Sequence, residues 1–130
     1  MKNILYTIIL SFLFSFSVFA EWEEVAEFER GKLYVDTDTF ERNNDRFYIW
    51  TLSDFKIKDE LLGALSVTTL VEFDCNNIPK RHRIISINSY AGNMGEGELL
   101  YSDSNEMESD WEYAPPNTTY SELANNLCKQ

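Results

Sequence analysis

Cys75 and Cys128 are the two cysteines of this chain, and they close patterns of opposite kinds. Cys75 ends a run of alternating side chains, the period of a strand; Cys128 ends a run with the period of a helix. If the two sulfurs are joined, a sheet and a terminal helix must lie against each other. Whether they are joined depends on the compartment in which the chain folds.

The first residues speak to that. Lys2 precedes an uncharged run, apolar or hydroxylic, from Ile4 to Val18. Val18-Phe19-Ala20 then sets small residues ahead of Glu21, and this order of charge, apolar core and small-residue cut is that of an export leader. The rival is a membrane anchor, which needs about 20 apolar residues; the run gives way too soon to Glu21-Trp22-Glu23-Glu24. The expectation is cleavage between Ala20 and Glu21, leaving one soluble domain over residues 21–130 in the periplasm or outside the cell. In an oxidising compartment an even cysteine count reads as a disulfide, and two cysteines allow one pairing. The alternative, a reactive thiol beside a buried one, needs a nearby base that the sequence does not offer.

The remaining chain suits one hydrophobic core, and the aromatic content, 15% over the whole sequence, argues against disorder. The 22 acidic residues against 11 basic ones disfavour nucleic acid and anionic membrane surfaces as partners, and suit solubility or a cationic partner.

Strand periodicity dominates. Trp22 to Phe28 reads as a first strand and Lys32 to Val35 as a short second one, with Asp36-Thr37-Asp38-Thr39 as a turn or a single helical turn. Arg46 to Phe55 is the clearest strand; both its faces are apolar, so it should be central and covered on each side for part of its length. Lys56 to Gly63 is charged and reads as a loop. Ser66 to Cys75 follows, with Val71 and Phe73 on one face and Glu72 and Asp74 pointing away. Arg81 to Tyr90 returns antiparallel, with Ile85 and Ile87 on one face and Ile84 on the other. Gly92 to Gly97 makes a hairpin bend into Leu99 to Tyr101, Ser102 to Asp110 reads as a loop, and Trp111 to Tyr113 as a last short strand. Tyr120, Leu123, Ala124 and Leu127 then share one helical face, with Thr119 and Glu122 in a capping-box pattern. The predicted fold is α+β: an antiparallel meander of five to six strands, one C-terminal helix packed on it, and one disulfide.

Candidate chemistry is sparse. His82, the single histidine, has no nucleophile elbow to serve and lies between Arg81 and Arg83, whose charge would disfavour its protonated form; it reads as a surface residue. One histidine and two paired cysteines cannot build a zinc tetrahedron. The acidic run Asp103, Asn105, Glu106, Glu108 and Asp110 lacks the spacing of a calcium loop and reads as solvated. The glycines of residues 92–97 link strands and do not open a helix, so they make no phosphate cradle. No metal or other cofactor is indicated. Lys80-Arg81-His82-Arg83 is the one basic cluster of an acidic chain. Lys80, Arg81 and Arg83 are the candidate partner-binding residues, with cross-strand pairing to Glu72 and Asp74 as the alternative use of their charge.

Taken together, Tyr34-Val35-Asp36, Ile49 to Phe55, Glu72-Phe73-Asp74-Cys75, Arg83, Tyr90-Ala91-Gly92, Gly95-Glu96-Gly97, Tyr101-Ser102-Asp103, Trp111 to Pro116 and Cys128 give the chain its resemblance to the surface-adhesin protein E family of bacterial exported domains. The resemblance implies an antiparallel sheet packed by a C-terminal helix, with the two cysteines joined. It also implies a binding role, since the family includes an outer-membrane lipoprotein that binds extracellular-matrix proteins and haem. Glu21 stands where a lipid-bearing cysteine would follow the cut, and no binding residue of the family maps onto this chain. The expected function is a non-enzymatic binding module of a Gram-negative envelope, periplasmic or secreted, that holds a protein or small ligand. The alternative is an accessory envelope protein that self-associates as a homodimer.

Overall fold

The computed structural model describes residues 21–104 and 110–130. The expected leader therefore lies outside the described residues, and so do Asn105, Glu106 and Glu108 of the acidic run. Among the described residues seven strands and one α-helix follow in order: β1 (Trp22–Phe28), β2 (Gly31–Asn43), β3 (Arg46–Phe55), β4 (Ser66–Asp74), β5 (Arg81–Tyr90), β6 (Leu99–Ser104), β7 (Glu112–Tyr113) and α1 (Thr119–Leu127). Strands β1 to β6 lie side by side in chain order, each antiparallel to the next. β6 and β7 share the outer edge of β5, β6 along Ser86–Tyr90 and β7 along Arg81–His82. The predicted meander with its C-terminal helix is what forms.

α1 lies across one face. Its Ala124 and Leu127 pack with Val35, Phe47, Ile49, Val71 and Phe73, the inward residues of β2, β3 and β4, and Tyr120, Leu123 and both cysteines border them. The helix is only nine residues long, too short to persist alone in water, so this apolar face and the bond at its end hold it. Cys75 and Cys128 are bonded with their Cα atoms 5.6 Å apart, across 53 residues of sequence. The opposite face is covered at one end by a turn of 3-10 helix, Asn93–Gly95, over Leu52 and Thr68. Asp54 accepts from the Met94 amide at 2.7 Å, and Ser66 accepts from the Gly95 amide at 2.8 Å. β3 is thus buried from both sides for part of its length, as its two apolar faces imply. No helix among the described residues is long and apolar enough to cross a membrane.

Three local expectations need correction. β2 does not stop at Val35 but runs 13 residues. The turn chemistry of Asp36 to Thr39 is present, because Asp36 accepts from the Asp38 amide at 3.0 Å and the Thr39 hydroxyl donates to the Asp36 carbonyl at 3.2 Å. It is absorbed as a bulge: the pairing steps from Asp36 opposite Trp50 to Glu41 opposite Tyr48, and the strand resumes. In β5 a second register shift takes up one residue, so Ile84 pairs with Val71 and Ile87 with Thr69, which puts those two isoleucines on one face. At the helix start the cap is Thr118, not Thr119. Thr118 has extended backbone and its side chain accepts from the Ser121 amide at 3.3 Å, while Thr119 is already helical.

Candidate functional site

The alternation of β5 separates residues that are adjacent in sequence. Arg81 and Arg83 pair with Asp74 and Glu72 and lie on the face away from α1, whereas His82 pairs with Phe73 and lies on the helix face. Arg46 of β3 joins the two arginines from opposite Asp74. Arg81 reaches Asp74 at 2.8 Å, Arg46 reaches Glu72 at 2.9 Å, Arg83 Nε donates to Glu72, and the Tyr48 hydroxyl donates to Glu72 at 2.9 Å.

Trp111, next to β7 in sequence, lies over this network. The guanidinium carbons of Arg83, Arg46 and Arg81 stand 4.4, 4.5 and 4.6 Å from its ring centre, within cation–π range. The two carboxylates beneath are 1% and 2% exposed, while the Arg46 and Arg81 side chains keep 35% and 26% of their surface in water. Three guanidiniums meet two carboxylates, so the platform carries one positive charge on a chain whose net charge is −11. Burial pushes the Asp74 carboxyl up, but Arg81, the Asn76 amide, Arg46 and Asn77 outweigh it and hold it below its ordinary value. Burial, with the Glu72 hydrogen bond, pushes the Tyr48 hydroxyl up.

The structure brings Arg81 and Arg83 together and sets Lys80 apart, its ammonium donating to the Cys75 carbonyl at 2.5 Å. The cross-strand pairing is what forms: Arg81 and Arg83 meet Asp74 and Glu72, and the Arg46 and Arg81 side chains still reach solvent. Arg46 and Trp111 escaped the sequence reading. Arg46 could have been found, since it shares a strand face with Tyr48. Trp111 carried no such signal, because its contacts are made by residues some 30 to 65 positions away.

His82 is not a surface residue. Its side chain is 14% exposed, its ring stacks on Tyr120 at 4.9 Å and 9°, and Phe73 lies at 6.0 Å. Nδ1 is buried without a hydrogen-bond partner, and Nε2 stands 4.0 Å from a Glu112 carboxylate oxygen. Burial holds the imidazole below its ordinary value of 6.5, against the opposing pull of Glu112. The direction agrees with the sequence reading; the cause is desolvation, since the flanking arginines lie across the sheet. The unfolded chain therefore takes up this proton first as pH falls, and stability drops from about pH 6.5 downward until the folded state also titrates. Urea midpoints of the wild type should decline relative to those of His82→Phe between about pH 7 and about pH 5. Parallel curves for the two proteins would remove His82 as the cause.

The surface-adhesin protein E family model matches residues 22–129. None of the curated proteins compared matches the chain. Among solved structures, the selenomethionine form of Haemophilus influenzae protein E superposes with a TM-score of 0.60 at 14% identity, over 88% of this chain and 90% of that one. A second crystal form of Haemophilus influenzae protein E gives 0.60 at 14% identity, over 87% and 91%. Protein E from non-typeable Haemophilus influenzae gives 0.59 at 15% identity, over 88% and 79%. At such identity these structures speak for the fold, and the family match over almost the whole described chain speaks for descent: the chain belongs to the surface-adhesin protein E family.

Proposed function

We propose that residues 21–130 form an exported, non-enzymatic binding module of the bacterial envelope, released from its leader between Ala20 and Glu21, periplasmic or secreted. Its partner surface is the arginine–tryptophan platform together with Lys80. The observation that carries this reading is the gathering of Arg46, Arg81 and Arg83 on one indole, partly open to solvent, in a strongly acidic chain. Arg and Trp are among the side chains that most often dominate protein interfaces, and here Glu72, Asp74 and Trp111 already hold the arginines in place. The basic spot offers charge complementarity to an acidic patch on a partner, and the surrounding negative charge disfavours docking of that patch elsewhere. Membership of an adhesin family supports a binding role.

The test immobilises the mature domain and measures binding of extracellular-matrix proteins and of solubilised envelope proteins. Lys80→Glu with Arg81→Gln should weaken the interaction by about tenfold or more. Lys58→Glu, in the loop after β3, should leave it unchanged. Equal binding by both variants, with native thermal unfolding, would remove the platform from the interface.

Self-association is the second reading. It is favoured by β6, an edge strand on which Leu99, Leu100 and Tyr101 are 52%, 36% and 43% exposed. A dimer mass by light scattering supports it, and a strict monomer at high concentration ends it.

A further inference from the structure

The face away from α1 has a gap between its two covers. At one end Trp111 and the arginines close it; at the other the 3-10 turn lies over Leu52. Between them Tyr48, Trp50 and Leu70 are only half-buried, and they floor an open cleft of about 360 Å³ whose wall is Asp38, Thr39 and Glu41. The wall exists because of the β2 bulge. The register passes from Asp36 opposite Trp50 to Glu41 opposite Tyr48, and the extra residues stand up beside the aromatic pair.

The two parts of the cleft ask for different things. The floor is aromatic and aliphatic, suited to a hydrocarbon stem. The wall carries two exposed carboxylates, Asp38 and Glu41, and neither has an ion-pair partner among the described residues. Arg46, two residues before Tyr48 on the same strand, is already engaged by Glu72 at 2.9 Å and Asp74 at 3.8 Å. We propose that the cleft seats a lysine side chain of a partner protein, its four-carbon stem along Trp50 and Leu70 and its ammonium between Asp38 and Glu41. Lysine fits both parts, because it lays an apolar stem on hydrophobic surface and ends in a compact charge with three donors. Tyrosine and tryptophan faces attract such a cation further. The net charge of −11 steers a basic segment towards the site. This site is distinct from the arginine platform and of opposite charge preference, so the two stand or fall separately.

The test titrates the mature domain with N-acetyl-lysine methylamide and follows its nuclear magnetic resonance spectrum, with the Trp50 indole signal assigned through Trp50→Phe. The expected result is saturable movement of that signal with an affinity of about millimolar order. Asp38→Asn with Glu41→Gln should weaken binding by about tenfold or more while leaving the rest of the spectrum in place. The uncharged norleucine analogue should not bind. Lys80→Glu with Arg81→Gln should bind the probe as the wild type does, which separates this site from the platform. The proposal is overturned by a Trp50 signal that does not saturate, by equal binding of the norleucine analogue, or by unchanged affinity in the double carboxylate variant. Preference for choline or for the arginine analogue would overturn the assignment to lysine.

Discussion

Replacing Cys75 and Cys128 together by alanine is expected to lower the free energy of unfolding by about 4 kcal/mol and the melting temperature by roughly 15–25 °C. The bond closes a loop across 53 residues. On the chain-entropy account its chief effect is on the unfolded state, which loses the freedom of that loop. Its position adds a native-state role. α1 contributes Ala124 and Leu127 to the core but has no length of its own to stay helical, so the tether keeps a marginal element over Phe47 and Phe73. Thermal unfolding by circular dichroism measures the change. A fall below about 1 kcal/mol would mean that the apolar face alone docks the helix.

Arg83→Met should cost about 3 kcal/mol although the new side chain is apolar and of similar length. Glu72 is 1% exposed and is held by Arg83, Arg46 and Tyr48. Taking Arg83 away leaves a buried carboxylate with one of its two guanidiniums, and a stranded buried charge costs more than the pair contributed. The companion variant Glu72→Gln with Arg83→Met removes that charge while keeping an acceptor for Tyr48. Its cost should fall short of the sum of the two single changes by about 1 kcal/mol or more, measured in a urea double-mutant cycle. Simple additivity would show that Arg83 and Glu72 contribute independently.

These two sites differ in how far the sequence disclosed them. The disulfide follows from cysteine count, since two cysteines allow one pairing, and the helix face follows from spacing within one element. β3 was legible for the same reason: Phe47, Ile49 and Thr51 alternate with Tyr48, Trp50 and Leu52, and the structure buries the first set under α1. The bulge in β2 was not legible. Asp36 and Thr39 do make turn hydrogen bonds, and only pairing with β3 decides that the chain resumes as a strand after them. His82 was misplaced for a related reason. Its sequence neighbours suggest an arginine environment, whereas a strand sends neighbours to opposite faces, so its surroundings are Phe73 and Tyr120 rather than Arg81 and Arg83. The platform is half legible: alternation in β4 points Glu72 and Asp74 away from the face of Val71 and Phe73, and the structure agrees. That they are buried on that far side depends on Trp111 and Arg46, and their approach is a tertiary event with no local signature.

Export into an oxidising compartment, which joins the end of strand β4 to the terminal helix, is the central claim. The most direct test is peptide mass mapping of the native protein from the bacterial envelope, with free thiols alkylated before any reduction. The expected result is a Cys75–Cys128 linked peptide, no alkylated cysteine, and a mature chain that begins at Glu21. Two alkylated cysteines on a chain that still begins at Met1 would contradict it.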